Sequence, residues 1–349
     1  MQRESYQEGI WCNYGGRQRL RAMTRILVLY YSQTGQLTRS VQSMMGPLET
    51  RADVQVVWQN VQPVEAYPFP WPFLEFFDTF PACVYMDAPA IKPLGFAADD
   101  KFDLVVLAYQ VWFLSPSLPI TGFLASPWAA VLKDTPVMTF IACRNMWLSA
   151  QEKMKHKLAE LGAVLVDNVV LIDQGPAWAT FITTPLWVLT GKKDGYWGLL
   201  PPAGVSKEEI AATSRFGRAL SERLPLLQFH APNKVGPLLT GLEAVKVNPG
   251  YIAGEKIAHR SFMIWGKLLR ALGPAGHPRR RVVLIVYILF LIVMILTVLP
   301  VSMMIRAALR PLLRQRLDEQ VRNLEMPSGS SSESMAQFRD EAGPTIRNR

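Results

Sequence analysis

The sequence has few of the residues that build metal centres and disulfide frameworks. Its 349 residues include only three cysteines, Cys12, Cys83 and Cys143, which are far apart and show no metal-ligand spacing. The four histidines, at positions 156, 230, 259 and 277, are equally dispersed. We therefore expect no metal site, and we interpret the cysteines as reduced thiols of a cytoplasmic chain.

The first 22 residues lack the apolar run that a secretory signal peptide requires. Met23 immediately precedes the first predicted strand. We expect the natural start at Met23, with residues 1–22 being either a disordered leader or an over-extended reading frame.

Acidic residues are absent between Lys256 and Leu317, although this segment holds eleven lysines and arginines. Those eleven positive charges exceed the net charge of the whole chain, which is +9. The remainder is therefore close to neutral, which argues against a nucleic-acid-binding domain and against a nucleic-acid partner.

Inside this basic segment, residues 282–305 carry no charge. At about 1.5 Å per residue, a helix of this length measures about 36 Å, which is enough to cross a hydrocarbon core of ~30 Å. Arginines flank both ends, as a buried core helix would not require. The sequence therefore predicts one transmembrane helix over residues 282–305.

A strand, a polar loop and a helix follow one another near the start of the chain. The continuous apolar run Ile26–Tyr31 predicts a strand buried on both faces of a parallel sheet. The stretch SQTGQLT covers residues 32–38, and Val41, Met44 and Met45 then recur at helical spacing. This order directs the free N–H groups of a helix N-terminus at whatever lies above the sheet.

A phosphate is the natural occupant of such a position. The loop has no lysine and no G-x-x-x-x-G-K-[ST] pattern, which excludes a nucleoside-triphosphate loop. A monophosphate held by hydroxyl and backbone donors fits better. The alternative is an ordinary strand-to-helix turn capped by a serine or threonine.

Four further apolar runs, at residues 54–58, 103–109, 135–143 and 163–173, predict the other strands of a doubly wound α/β sheet of five parallel strands. Ligands of such sheets lie beyond the carboxyl ends of the strands. Trp112, which follows the third strand, is the best candidate to stack on a planar ligand, with Tyr109 or Phe113 in reserve. The alternative is a core aromatic residue. Arg144, after the fourth strand, would either hold an anion or be a solvated loop charge.

Two apolar insertions enlarge this minimal fold. Residues 61–86 contain five prolines and many aromatic residues, and they predict either a lid or membrane-facing flap, or a satellite core under a loop. Residues 176–200 suggest a hydrophobic substrate wall or an interfacial patch, in which Pro185 prevents a single straight helix.

The fold should be complete near Pro225, so that the main domain covers residues 23–232. Residues 233–278 then predict a linker with a basic amphipathic helix over about 254–272, which would lie on an anionic membrane and could insert Phe262 and Trp265. Residues 306–349 predict a basic helix and, from Pro327, a disordered tail.

The loop YYSQTGQLT resembles the phosphate loop of flavodoxin-like proteins, which reads roughly S/T-x-T-G-x-T and holds FMN. Ser32, Thr34 and Gly35 match, whereas Leu37 occupies the last hydroxyl position and Thr38 comes one place late. The resemblance implies a flavodoxin-like fold, an FMN cofactor and cofactor-binding residues in three loops. These residues are Ser32, Gln33, Thr34, Gly35, Gln36, Leu37, Thr38, Gln110, Trp112, Phe113, Arg144 and Asn145.

Over roughly residues 24–270, YYSQTGQLT, YPFPWPFLEFFDTFP and LPPAGVSKEEI also resemble proteins named dialkylresorcinol-condensing enzymes. That resemblance implies a flavin-dependent oxidation of a lipid-like cyclohexanedione to a resorcinol in dialkylresorcinol or aryl-polyene biosynthesis. The implied partners are membrane lipid, a hydrophobic small-molecule substrate and other biosynthetic enzymes such as a ketosynthase.

A flavin domain without a signal peptide favours a cytoplasmic domain, held at the inner membrane by a single pass. Two alternatives stay open. The chain could be a non-catalytic membrane scaffold with a degenerate FMN site, or an NAD(P)H-quinone reductase. No acid–base pair stands out in the sequence, so no catalytic residue is assigned.

Overall fold

The computed structural model describes residues 23–194, 198, 200–229 and 235–338. Residues 1–22, and with them Cys12 and the predicted leader, lie outside the described residues. His230 and the end of the predicted tail, residues 339–349, lie outside them too.

Seven strands form one central sheet and one small hairpin. They are β1 Thr24–Tyr30, β2 Val54–Asn60, β3 Leu104–Tyr109, β4 Val111–Trp112, β5 Ser115–Pro116, β6 Pro136–Cys143 and β7 Val164–Ile172. The central sheet is parallel throughout and has the order β2-β1-β3-β6-β7. This is the strand order of doubly wound flavodoxin-like sheets, so the predicted fold class is confirmed.

Twelve α-helices are described around these strands. They are α1 Gln36–Glu49, α2 Phe73–Asp78, α3 Phe80–Tyr85, α4 Leu118–Leu124, α5 Leu148–Glu160, α6 Ala177–Thr190, α7 Lys207–Ala212, α8 Ser214–Phe229, α9 Pro249–Ala271, α10 Pro278–Val293, α11 Leu299–Glu325 and α12 Met335–Phe338. A 3-10 helix covers Pro127–Leu132, and a π-helical turn covers Met294–Val298. Contrary to the prediction for Pro185, α6 runs through this proline as one helix.

The centre of the sheet is buried on both faces, as the continuous apolar runs predicted. All six residues of β3 are buried, and so is most of β1. Helix α1 packs its buried side chains Val41, Met44 and Met45 against this sheet. These two strands hold the loops that follow them in fixed positions at the same edge.

The domain does not end near Pro225, which corrects the predicted boundary at residue 232. The main-chain N–H of Val170, in edge strand β7, donates to the carbonyl oxygen of Ala244 over 2.9 Å. Leu238, Leu239 and Leu242 of the same segment are fully buried. An edge strand exposes unpaired backbone groups and an apolar face, and the segment predicted as a linker covers both.

The first part of the tail that was predicted to be disordered is instead bonded to the domain. The hydroxyl of Ser328 donates to Oδ1 of Asp167 over 2.7 Å, and the main-chain N–H of Asn168 donates to the Ser328 oxygen over 2.8 Å. Phe338 is buried against the domain. Residues 326–338 therefore cover β7. They are held there because Ser328 pairs with the carboxylate of Asp167 and the main-chain N–H of Asn168.

Among the described residues, Pro278–Val298 is the one helix long and apolar enough to span a membrane. Its bounds differ from the predicted 282–305, because the apolar stretch begins inside α10 and its last residues belong to α11. Phe262 and Trp265 of α9 do not point away from the protein, as their predicted insertion into a membrane would require. Both rings pack near Tyr287 of α10, with centroid distances of 6.4 and 5.3 Å.

Candidate functional site

The loop between β1 and α1 has the geometry of an anion-binding turn. Gly35 precedes α1 with φ of +71°, a left-handed conformation that favours glycine. The Thr34 hydroxyl accepts a hydrogen bond from the main-chain N–H of Gln36 over 3.5 Å. The first turn of α1 thus begins directly at the loop, with its main-chain N–H groups and positive dipole end facing the site.

Three polar atoms at this edge of the sheet are buried without a protein partner. They are Oγ of Ser32, Oε1 of Gln36 and Oε1 of Gln110, none of which has a hydrogen-bond partner in the part of the chain that the structure describes. Buried polar atoms are normally paired, since an unpaired one costs about 1–3 kcal/mol. All three lie in or directly after the loops that follow β1 and β3, where a polar ligand between these loops would pair them.

Two cations that the sequence analysis missed lie beside the same loop. The guanidinium Nη1 of Arg39 lies 3.1 Å from the place where a Cβ on Gly35 would be. Lys193 Nζ lies 5.5 Å from the centre of the Trp187 ring, and the pKa of Lys193 is lowered, first by burial and then by repulsion from Arg39. Arg39 follows Gly35 by one helical turn, a spacing that could have revealed it.

Next to the loop lies a cavity of about 540 Å³. Nine of the twelve predicted cofactor-binding residues line it, namely Gln33, Thr34, Gln36, Leu37, Gln110, Trp112, Phe113, Arg144 and Asn145. Ser32, Gly35 and Thr38 belong to the adjoining loop and helix start but not to the cavity wall. The structure thus brings the three predicted loops together, while their role in binding a cofactor stays a prediction.

Trp112 lies in an aromatic cluster at the cavity wall. Its ring is 5.8 Å from that of Tyr31, 5.2 Å from Tyr67 and 5.6 Å from Trp71, each at a steep interplanar angle. Tyr109 is wrong as a reserve stacking residue, because it is fully buried and its hydroxyl donates to Gln151 over 2.6 Å. Its side chain faces the core rather than the cavity.

Phe113 and Leu114 form a strained turn between β4 and β5. Their φ angles are +46° and +60°, a region that residues other than glycine, asparagine and aspartate rarely adopt. Contacts hold the turn in place: Phe113 packs on Phe76 at 5.0 Å, and Lys153 Nζ donates to Ser115 Oγ over 2.8 Å. Such strain is typical of functional sites, where surrounding contacts hold the backbone in a conformation that it rarely adopts by itself.

Arg144 is a partly buried cation in the cavity wall. Nη1 donates to the Thr180 hydroxyl over 3.3 Å, and the guanidinium lies 4.0 Å from the centre of the Phe181 ring. Burial lowers the pKa of Arg144, and no carboxylate of the described residues forms an ion pair with it. Asp173 attracts this charge without forming an ion pair, so a buried guanidinium in the cavity wall still favours an anionic group beside it.

The two apolar insertions meet above the phosphate loop. The main-chain N–H of Trp71, in the first insertion, donates to the carbonyl oxygen of Val188, in the second, over 2.9 Å. Phe76 and Phe77 of the first and Phe181 and Trp187 of the second line the cavity. Both insertions therefore contribute its wall.

A third part of the wall was not predicted. Phe262 of α9 and Phe290, Leu291 and Met294 of the α10 region line the same cavity. The sequence assigned these helices to a separate membrane anchor, because an apolar side chain that faces lipid and one that faces protein look alike in sequence.

Comparisons with known proteins add little to this geometry. No family model matches the chain. No curated protein matches it either. A flavoprotein from Lactobacillus acidophilus NCFM, in complex with FMN, is 17% identical, with coverage of 42% of this chain and 93% of that one and a TM-score of 0.34.

Two further solved structures have a similar degree of likeness. A flavodoxin from the domain Archaea is 12% identical and covers 58% of this chain and 99% of its own, with a TM-score of 0.33. A flavone reductase is 14% identical and covers 60% of this chain and 65% of its own, with a TM-score of 0.30. The fold is flavodoxin-like by its own strand order.

Proposed function

We propose that this chain is a membrane-bound, FMN-binding oxidoreductase that acts on a lipid-like substrate. The observation that carries the proposal is that Gln36 and Gln110, whose side-chain oxygens are buried without a partner among the described residues, line a largely apolar cavity, while the equally unpaired Ser32 hydroxyl lies in the adjoining loop. A ligand with a phosphate at one end and a broad planar ring at the other suits this arrangement.

The phosphate would lie against the Ser32 hydroxyl and the main-chain N–H groups at the start of α1. Leu37, which replaces the last hydroxyl of the flavodoxin-like pattern, is buried in the core and offers nothing to a phosphate. Arg39 and Lys193 compensate for it, since a cation bonds a phosphate more strongly than a neutral hydroxyl does. The ring would lie beside Trp112 and Gln110.

FMN, when bound, supplies the acceptance or donation of a hydride. The chain itself would position the substrate and exclude water. Phe76 and Phe77 of the first insertion and Phe181 and Trp187 of the second line the cavity with aromatic side chains, which suit an alkyl chain. Arg144 would hold the polar, acidic end of the same molecule, because no carboxylate of the described residues forms an ion pair with it and Asp173 acts on it only through its charge.

A 2,5-dialkylcyclohexane-1,3-dione is the substrate that we propose within this class. Its conversion to a resorcinol is a two-electron oxidation that removes one hydride and one proton from the ring; bound FMN would supply the hydride acceptor, and the proton would go to solvent. An acidic dione suits Arg144, and its alkyl chains suit the apolar walls. The partners would then be membrane lipid and the enzymes that make the dione, such as a ketosynthase.

The phosphate site is tested by titrating the full-length chain, in detergent, with FMN and with riboflavin. Each ligand is followed by quenching of its flavin fluorescence. We expect FMN to bind about tenfold more tightly or better, since a charged hydrogen bond contributes about 1.5–3 kcal/mol. Equal affinities would show that the loop does not hold the phosphate.

The reaction is tested by mixing the FMN-loaded chain anaerobically with the dione. Bleaching of the visible flavin absorbance, with formation of the resorcinol, is the expected result. Bleaching by NAD(P)H followed by reoxidation with a quinone, and none with the dione, would instead support a quinone reductase. A chain that binds no FMN would support the scaffold.

A further inference from the structure

We propose that the apolar helix Pro278–Val298 lies in one leaflet of an anionic membrane and does not cross it. Its exposed side would face the acyl chains, while its opposite side forms a wall of the cavity. The single-pass arrangement expected from sequence is the alternative to this proposal, which concerns the way in which the chain meets the membrane.

The start of the helix is fixed to the domain. Nε of Arg280 lies 2.5 Å from Oδ1 of Asp78, and both side chains are nearly buried. Arg280 Nη2 also donates to the Asp78 carbonyl oxygen over 2.6 Å, and the main-chain N–H of Gly276 donates to Asp78 Oδ2 over 2.6 Å. These bonds hold the first turn of α10 against the end of α2.

The chain that follows the helix returns to the same domain. Oε1 of Glu325, at the end of α11, accepts a hydrogen bond from the main-chain N–H of Val247 over 3.1 Å. Ser328 then pairs with Asp167 of β7, and Phe338 is buried. Both ends of the segment 278–338 are therefore attached to one body.

A membrane-crossing helix would separate these two attachments. The 21 residues of Pro278–Val298 measure about 31 Å, which is about the thickness of the hydrocarbon core. If they crossed, Glu325 and Ser328 would lie on the opposite side of the membrane from Val247 and Asp167. An orientation in the membrane plane keeps every one of these contacts.

The outer surface of the segment is apolar and exposed. Its exposed side chains that do not line the cavity are Val282, Ile285, Val286, Leu289, Ile292, Val293 and Leu296, and those of the adjacent α9 are Ile264 and Leu268. Contiguous apolar surface on this scale marks a site of interaction with a protein or a membrane.

The charges around this surface identify the occupant as lipid. Five exposed cations lie on α9 and at the start of α10, namely Lys256, Arg260, Lys267, Arg279 and Arg281, while a sixth, Arg270, is paired with Asp87 over 3.3 Å. Between Lys256 and Val298 the chain has no acidic residue. An apolar face bordered by cations suits acyl chains flanked by anionic head groups, as in helices that lie in the membrane interface.

The same helix separates the membrane from the cavity. Phe290, Leu291 and Met294 line the cavity, whereas Leu289 and Val293 are exposed. The π-helical turn Met294–Val298 contributes Ile295 and Val298 to the wall, at a point where the helix repeat is interrupted. Given the proposed function, the substrate is an amphiphile that enters from the leaflet beside this turn rather than from water.

The test compares the sidedness of two exposed positions in the full-length chain. Asp99→Cys lies on the domain and Ala336→Cys on the returning tail, and each is made in a Cys12→Ser background. The chains are expressed in a bacterial inner membrane and labelled with a membrane-impermeant maleimide in sealed right-side-out and inside-out vesicles. The background chain, which retains the buried Cys83 and the half-buried Cys143, gives the baseline.

We expect both positions to label in one vesicle orientation and both to lose labelling in the other. Labelling in opposite orientations would show a crossing helix and overturn the proposal. So would a full-length chain that remains in the soluble fraction. Ser332→Cys, also exposed, replaces Ala336→Cys if that variant does not accumulate. None of these readouts needs bound flavin, so the result is independent of the proposed reaction.

Discussion

Nε1 of Trp71 donates a hydrogen bond to Oε1 of Gln33 over 3.1 Å, and Nε2 of the same glutamine donates to the carbonyl oxygen of Pro68 over 3.2 Å. The first apolar insertion is thereby attached to the predicted phosphate loop. Since Trp71 also donates its main-chain N–H to Val188, one residue joins the loop to both insertions. The cavity wall and the predicted phosphate loop are therefore joined by hydrogen bonds.

Trp71→Phe keeps an aromatic ring but leaves Gln33 Oε1 without its donor. We expect FMN to bind about 3- to 10-fold more weakly, because a neutral hydrogen bond contributes about 0.5–1.5 kcal/mol. A fluorescence titration measures the change. Trp178→Phe is the control, since Trp178 is 63% exposed and does not line the cavity. Equal effects of the two substitutions would contradict the coupling.

Ser32→Ala removes a buried hydroxyl that has no partner in the described structure. We expect the free energy of unfolding of the ligand-free chain to change by no more than about 0.5 kcal/mol, while FMN affinity falls roughly 10-fold or more. Denaturant unfolding and FMN titration give the two quantities. Ser126→Ala should leave FMN affinity unchanged, because the Ser126 hydroxyl bonds the Phe123 carbonyl away from the cavity. A stability loss without an affinity loss in Ser32→Ala would show a purely structural serine.

Burial lowers the pKa of Lys153 from its usual 10.5 to about 8. Between pH 8 and pH 10.5 the unfolded chain therefore binds more protons at this residue than the folded chain, and the free energy of unfolding rises with pH. The gain is on the order of 1–2 kcal/mol after allowance for solvent screening.

The measurement compares wild type with Lys153→Met by urea unfolding at pH 7 and pH 9.5. The difference between the two stability curves should grow in favour of wild type as the pH rises. Lys153 donates a hydrogen bond to Ser115 whether or not its amine is protonated. Loss of that bond in Lys153→Met therefore changes the variant's free energy of unfolding by the same amount at both pH values. Parallel curves would show that the amine titrates normally in the folded chain.

Ser328→Ala tests whether the tail covers β7. The substitution leaves the buried main-chain N–H of Asn168 without its acceptor, and Asp167 without one of its donors. We expect a loss of about 1–3 kcal/mol in the free energy of unfolding, together with faster proteolysis of the tail. Ser332→Ala, at an exposed position four residues later, should have little effect. If both serine variants behave alike, the tail is not held at β7.

The sheet could be predicted because its strands are continuous apolar runs bounded by turns. Ile26–Tyr31 and Asp103–Tyr109 each correspond to a buried central strand within one or two residues. Once the strands are placed, the parallel order brings the loops after β1, β3 and β6 to one edge, so that Gln33, Gln110 and Arg144 meet.

The parts that could not be predicted depend on long-range contacts. A serine in a Ser/Gly-rich tail gives no sign of docking unless Asp167, an acid inside an otherwise apolar strand, is known to need donors. Similarly, Tyr287 lies in a stretch that is apolar on all sides, and only the packing of α9 decides which side faces protein.

FMN binding by the loop and the cavity is measured by the visible absorption spectrum of the full-length chain, purified in detergent, incubated with FMN and passed through gel filtration. We expect a flavin spectrum that elutes with the protein, and FMN released on denaturation. A protein that elutes colourless would contradict FMN binding.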